Sequence, residues 1–319
     1  MCRAPIFACV CAILAFAAGT ADLAADEARA IARIERLQGK VIEDVDGKRV
    51  VDLALRFVMD AELEGIDQIA EIKRLVLFYT LIGNKGLAHL TDLADLTELN
   101  LRGTRVDSDG LQHLRKVKSL RTLDLGNTRV QGRGLKYLKD CRLISLNLSG
   151  TSTRNLQYIA RQDELQVLEL AGTHVADHGL KQLAGPKGDG LAKLTRLNLR
   201  GSKISNDGLA HLAAHRHLKQ LDLGDVDITD AGLKHLQRLP YLEKLDLTGN
   251  DLTDAGLQNL KDMKNLKVLY LGKTSITDKG LAHLAGLPIQ LLDVSGTDVT
   301  EAAVRKCLPE TYCVGAISE

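Results

Sequence analysis

Aromatic residues make up only 3% of this chain of 319 residues, and tryptophan is absent. A core that avoids bulky rings and draws on Leu, Val, Ile and Ala suggests small, alike layers stacked together. Net charge is nearly absent too. Lys and Arg number 42 against 41 Asp and Glu, so no global field steers the molecule to nucleic acid or an anionic membrane, and no nucleic-acid partner is expected. Long apolar runs are missing. The exception, Ile6 to Ala18, follows Arg3 and is thirteen residues long, short for a membrane span. Residues 1–21 therefore read as an export signal, with Gly19-Thr20-Ala21 fitting a cleavage site before Asp22, and Ala17 or Ala25 as alternatives. The competing outcome is an uncleaved N-terminal anchor. With cleavage, no integral membrane span remains, and the protein is placed in the periplasm, at the cell surface or outside the cell.

The signatures of catalysis and metal binding are also lacking. There is no GxSxG, no GxGxxG after a strand and no GxxxxGK[ST]; nor is there a CxxC, an HExxH or an acid-rich calcium loop. No enzyme activity, cofactor or metal is expected. Cys2, Cys9 and Cys11 leave with the signal, and Cys141, Cys307 and Cys313 cannot all pair.

What is present is repetition. Residues from Leu218 read LKQLDLGDVDITDAGLKHLQRLPY, those from Leu242 read LEKLDLTGNDLTDAGLQNLKDMKN, and those from Leu266 read LKVLYLGKTSITDKGLAHLAGLP. The period is 24 residues. Eleven units begin near Lys48, Ile72, Leu96, Leu120, Leu143, Leu165, Leu194, Leu218, Leu242, Leu266 and Ile289. LxxLxL alternates, which predicts a short strand with Leu221 and Leu223 inward. A small polar residue follows, usually Thr (Thr104, Thr128, Thr173, Thr274, Thr297), whose hydroxyl can bond nearby backbone. Thr229 then predicts a helix cap with Asp230 in the first turn. Leu233, Leu236 and Leu239 give that helix one buried face. Gly recurs at one helical position, including Gly86, Gly110, Gly134, Gly179, Gly208, Gly232, Gly256 and Gly280. Gly is unfavourable inside a helix, so a side chain there would strike the adjacent coil.

These units predict an α/β solenoid, a horseshoe with a parallel β-sheet on its concave side and α-helices on its convex side. Both ends need covers. Residues 22–47 predict a capping helix, with Ala28, Ile31, Ile34 and Leu37 at spacing three, and a hairpin from Val41 to Val51 turning at Asp46-Gly47. Repeats fill 48–311, and 312–319 form a terminal cap or tail. The LxxLxLxxTxITDxGLxxLxxL unit resembles the helix-containing leucine-rich repeats of exported bacterial proteins. It is also similar to the arrays of F-box proteins and, more loosely, of ribonuclease inhibitor. The resemblance implies a binding surface without a fixed ligand. The roughly 26 residues between signal and first repeat are too few for an F-box.

A partner would meet the concave face, where residues between strand leucines point. Asp or Asn there is the default of the repeat, so departures are informative. Phe78 and Tyr79, beside Arg74, Val76 and Arg102, predict one partner-binding patch, because aromatic and Arg side chains dominate binding hot spots. Tyr270 and Lys273 predict a second. The alternative for Phe78 and Tyr79 is burial under the N-terminal cap. A monomer that binds one or few protein partners is expected; the alternatives are a self-associating envelope protein and an inhibitor-type or substrate-receptor protein. Two units break the period. The one at Leu143 lacks TDxG around Thr151 to Asn155, and the one at Leu165 carries an insertion at Gly185–Gly190. A histidine column (His89, His113, His211, His235, His283) with His215 nearby reads as a polar outer face. Cys307 and Cys313 either staple the C-terminal cap or stay free, and Cys141 replaces a core Leu.

Overall fold

The computed structural model describes residues 7–185 and 190–318, with side chains of the first helix described from Asp22. Most of the predicted insertion, Pro186 to Asp189, lies outside the described residues, as do the first six residues of the export segment. No described helix is long and apolar enough to cross a membrane.

One open sheet takes its strands in chain order. β1 (Lys40–Glu43) and β2 (Arg49–Asp52) form the expected antiparallel hairpin. All later neighbours are parallel: β3 (Ile72–Val76), β4 (Glu98–Asn100), β5 (Thr122–Asp124), β6 (Ser145–Asn147), β7 (Val167–Glu169), β8 (Arg196–Asn198), β9 (Gln220–Asp222), β10 (Lys244–Asp246), β11 (Val268–Tyr270), β12 (Leu291–Asp293) and β13 (Tyr312–Val314). Strands β2 to β12 open the eleven units. The sheet runs one rung beyond them, so residues 312–314 join the solenoid instead of trailing from it. Leu75, Leu99 and Leu123 stack in register, as do Leu221, Leu245 and Leu269, all sealed from water.

The turn after most strands is tied from inside, Ser202 being a buried hydroxyl at this position without such a partner. Thr80, Thr104, Thr128, Thr151, Thr173, Thr274 and Thr297 are buried, and each Oγ1 donates to the carbonyl three residues back, at 2.6–2.7 Å. Val226 takes this position in one coil and has no hydroxyl to give. The next coil compensates: Asn250 Nδ2 donates both to its own Leu247 carbonyl (2.9 Å) and to Leu223 O (2.7 Å), the carbonyl a threonine at 226 would have held.

The outer layer departs in part from expectation. Among the described residues, seven coils carry an α-helical segment, among them Asp177–Leu183 and Glu301–Cys307, but in the others and at many helix ends the chain tightens to 3₁₀. Asp230–Leu233 is one α-turn, and Lys234–Arg238 continues as 3₁₀; Gly110–Lys116 and Gly132–Leu138 are 3₁₀ throughout. The leucines explain this. Leu233, Leu236 and Leu239 are all buried at a spacing of three, which suits three residues per turn better than 3.6.

Thr229 does not cap its own helix either. Its amide donates to Asn206 Oδ1 of the preceding coil at 3.0 Å, and Asn206 Nδ2 donates to its hydroxyl. Thr253 and Thr277 donate likewise, through amide and hydroxyl, to Asp230 and Asp254. The recurrent glycine lies beneath this staple: a Cβ on Gly232 would overlap Asn206 Oδ1, and one on Gly256 would overlap Asp230.

The N-terminal helix, Phe7–Arg36, starts well before the predicted Asp22. Ile34 is buried, with Ala30, Ile31 and Leu37 packed beside it; Ala28, expected on this face, is exposed. Glu27 accepts from the Ala70 amide and from Arg49, pinning the helix to the first coil. At the other end Cys307 and Cys313 are free thiols and form no staple. Cys307 ends the helix Glu301–Cys307, while Cys313 lies within β13, its Sγ leaning toward Val314 O. Cys141 is buried as expected, and burial pushes its thiol up to about 11.

His215 fills the column that holds Val117, Leu239 and Met263 in other coils, and it is 1% exposed. Burial pushes its imidazole down to about 4 from 6.5.

Two outcomes follow. Asn250→Thr should cost about 1 kcal/mol in denaturant unfolding, because Leu223 O loses its donor, and adding Val226→Thr should recover most of it; no recovery would dissociate the two positions. Second, the unfolded chain protonates His215 near 6.5 while the folded chain does so only near 4. Its contribution is therefore whole above pH ~6.5 and fades as pH falls toward ~4, by up to about 3 kcal/mol. His215→Leu should remove that component from the stability–pH curve.

Candidate binding surface on the inner sheet

The polar column between strand leucines is mostly committed to the fold. Asp52, Asn100, Asp124, Asn147, Asn198, Asp222, Asp246 and Asp293 each accept, through Oδ1, the amide two residues ahead at 2.8–3.0 Å. This Asx bond closes the strand where the chain leaves the ladder. The stripe that looks acidic in sequence is thus a row of backbone caps. Val76, Glu169 and Tyr270 break it, and two of these fall in the predicted patches.

In the first patch, Val76, Phe78 and Arg102 are half-buried on the sheet face and Arg74 is exposed. Arg74 pairs with Glu98 at 2.5 Å. Phe78 and Tyr79 meet edge to face with centroids 4.5 Å apart. Tyr79 is 48% exposed and reaches away from the N-terminal cap: its ring covers Gly103, and its hydroxyl accepts from Asn127 Nδ2 at 3.3 Å. It spans three coils along the rim. The Arg102 guanidinium lies over Gly126, 3.0 Å from where a Cβ would stand.

Tyr79 also has a positive φ, 53°. One residue per coil turns left-handed here, and glycine supplies it at 103, 150, 172, 201, 249 and 296. Leu55, Tyr79 and Lys273 do so with side chains of full size, at a cost of about 1–3 kcal/mol each. Asn127 and Asp225 fill the same position in two other coils.

The second patch occupies the same two columns as Val76 and Tyr79. Tyr270 lies mid-sheet with Lys244 Nζ 5.1 Å from its ring centroid, whereas Lys273 sits past the strand end, on the rim column of Tyr79. Sequence reasoning passed over what else assembles beside Tyr270. Arg196 pairs with Glu169 at 2.7 Å. Arg200 lies over Gly224 and reaches Asp225 at 3.3 Å and Asp246 at 3.7 Å. Burial, helped by the charge on Asp246, holds the Asp222 carboxyl above its usual range, while Arg200 and the Gly224 amide oppose the shift. Arg196, Asn198, Gln220, Asp222 and Lys244 rim a depression of about 60 Å³. The signal available was Glu169, a lengthened acid in a column of Asp and Asn. Also missed were Phe57, Leu55 and Met59, which are 89%, 64% and 55% exposed at the N-terminal rim. They sit in the first unit, which lacks the turn Thr, so no repeat position singled them out.

The histidine column gathers no metal site: among the described residues, no three His, Cys, Asp or Glu side chains converge.

Family models described as leucine rich repeat match residues 240–299 in one case and 118–139, 190–213 and 214–236 in another. No curated protein matches the chain. Among solved structures it is similar to an internalin from Listeria monocytogenes, at 19% identity and TM-score 0.58, over 91% of this chain and 95% of that one. A Leptospira interrogans LRR protein matches at 19% identity and TM-score 0.55, over 78% and 68% of the two chains. The LRR ectodomain of the Arabidopsis receptor kinase HAESA, solved with a peptide hormone ligand, matches at 18% identity and TM-score 0.56, over 82% and 44%. At such identities the likeness is one of fold.

Gly224→Ala puts a Cβ into the Arg200 guanidinium. That side chain is free to swing out, so unfolding should shift by less than about 1 kcal/mol. Asp222, having lost a neighbouring cation, should titrate higher still by carboxyl NMR; an unchanged titration would show that Arg200 does not govern it.

Proposed function

We propose that this leucine-rich repeat protein is an exported, non-catalytic binding module that takes a protein partner on its inner sheet face. The observation that carries this reading is the contrast within that face. Eight coils spend their middle residue on their own backbone, while Phe78, Tyr79 and Arg102 present aromatic and guanidinium surface on a ladder that is rigid before anything binds. Such preorganisation lowers the ordering cost of association. The depression of about 60 Å³ on the sheet offers little of the water-excluded space that catalysis favours. Export rests on the basic-then-apolar reading of residues 1–21. Arg74, Val76, Phe78, Tyr79 and Arg102 form the principal contact area, with Tyr270 and Lys273 as separate outlying contacts.

A second reading, self-association as a structural envelope protein, draws on one observation. β13 ends the sheet with Tyr312 69% and Val314 39% exposed, and among the described residues no strand covers its outer edge. A row of unpaired backbone groups invites strand addition. Light scattering separates the readings: a binding module stays monomeric as concentration rises, whereas an envelope polymer does not.

The inner-face reading is tested on a partner identified by cross-linking in the native host. Phe78→Ala with Arg102→Ala should weaken its capture by about 2 kcal/mol or more while leaving the melting temperature nearly unchanged. A lowered melting temperature with capture intact would assign both side chains to folding instead.

A further inference from the structure

Beside the sheet, a second ladder runs along one flank, where each coil leaves its turn. Bridges such as Asp107↔Arg129, Ala176↔Lys203, Ser205↔Asp227 and Thr229↔Asp251 each join the third residue after one turn to the first residue after the next, so those first residues recur coil by coil along the flank. At the N-terminal end the same backbone bonds continue: Arg129 N to Val106 O, Arg105 N to Ile82 O and Leu81 N to Val58 O, at 2.8–3.0 Å. This column has no turn to tie and no core to fill, yet its residues are sorted. The first two coils supply Phe57 and Leu81. The next block carries Arg105, Arg129, His174 and Lys203, with Ser152 of the short coil between Arg129 and His174. The last carries Asp227, Asp251 and Asp298, with Ser275 before Asp298.

The apolar end is the most exposed hydrophobic patch of the rim. Phe57 is 89% exposed, and Leu55 and Met59 beside it in sequence are more than half exposed. Contiguous exposed apolar surface of this kind marks interaction sites. Arg105 and Arg129 are exposed, and among the described residues neither lies within ion-pair distance of a carboxylate. The nearby Asp107 is engaged by Asn84 Nδ2 and by the Asp109 amide. Where the short coil interrupts the ladder beyond Arg129, a cleft of about 550 Å³ opens. Arg133, Arg154 and His174 line it with Gln131, Ser152 and Asn155, and no acid does.

The geometry points to a second docking surface on this flank, for an extended protein segment bearing an aromatic or large aliphatic anchor close to acidic residues. The anchor would cover Phe57, Leu55 and Met59, and the acids would meet Arg105, Arg129 and the cleft. Coils follow one another about 4.8 Å apart, and an extended chain advances about 3.3 Å per residue. The first acid therefore stands about two to four residues from the anchor. A polyanionic glycan would answer the basic block but leave the aromatic end bare. A second copy fits worse. The two-fold register that sets Arg105 on Asp251 and Arg129 on Asp227 sets Phe57 against Asp298. This surface lies outside the inner-face reading and stands or falls separately from it.

The test selects a random peptide library displayed on phage against the full chain, then measures the winning peptide, fluorescein-labelled, by anisotropy. The expected winners combine Phe, Tyr, Trp or Leu with two or more Asp or Glu at that spacing. Their affinity should fall about tenfold or more on Arg105→Glu with Arg129→Glu, and again on Phe57→Ser, and should weaken with added salt. It should be unchanged on Arg196→Glu with Lys244→Glu on the inner sheet. Each altered side chain is exposed, and a melting curve verifies the fold of each variant. The inference is overturned by a library that yields no such motif. It is also overturned by winners that fail on the inner-sheet variant, which would leave the inner-face reading standing. Two further results would overturn it: a heparin oligosaccharide that needs the arginines but not Phe57, or a salt-sensitive dimer in sedimentation that Arg105→Glu with Arg129→Glu abolishes.

Discussion

No coil of this chain can satisfy its own backbone. A strand of three residues has nowhere to place its amides and carbonyls except on the coils before and after it: Leu223 N goes to Asp246 O, and Leu247 N to Tyr270 O. The turn carbonyls, the staples beneath the recurrent glycine and the leucine layers follow the same rule, so stability is a sum of neighbour terms. This explains how the period can lapse at Leu143 without a break in the stack. There Gln162 enters the core column; its Oε1 accepts from Leu143 N at 3.2 Å and its Nε2 donates to Leu138 O at 2.8 Å. Gln182 of the next coil accepts from Leu156 N. Each irregular coil is repaired from next door, as Asn250 repairs Val226.

The periodic part of this scheme was legible from residues alone. The repeat located the strands that open its eleven units but not β13, the turn threonines do bond inward, and the recurrent spacing of glycine did mark a close approach. What failed were inferences from one coil taken by itself. Thr229-Asp230 reads as a helix cap only if the partner of Thr229 is sought in its own coil; its partner is Asn206, 23 residues earlier. The outer leucines at spacing three carried the 3₁₀ geometry in plain view, but an apolar stripe is usually read against a period of 3.6. Phe57 stayed hidden for a different reason. Its unit departs from the repeat, so there was no default against which it stood out.

The candidate surfaces show the same split. Asp and Asn on the inner sheet were visible as a column, yet their chemistry could not be read until the Asx bonds showed that one oxygen of each is already engaged. Tyr79 was visible as a rare aromatic, but its left-handed backbone and its reach over Gly103 to Asn127 were not, because both depend on where the chain turns. Tyr270 and Lys273, three residues apart in sequence, fall on different columns and face different surroundings.

A solenoid therefore sorts its surface into positions the fold uses and positions it ignores, and the two differ in what a residue there implies. At a used position, a polar or charged side chain is explained by its neighbour and carries little functional information, however regular the stripe. At an ignored position, packing exerts no preference, and surface substitutions change stability by only about half a kcal/mol. The flank column of Phe57, Arg105, Arg129, Asp227 and Asp251 is ignored in this sense: its backbone makes the ladder, while its side chains point outward. In a chain whose charges cancel almost to zero, separation into apolar, basic and acidic blocks along such a column has no cause within the coil or its neighbours. That order is what the proposed flank partner would read.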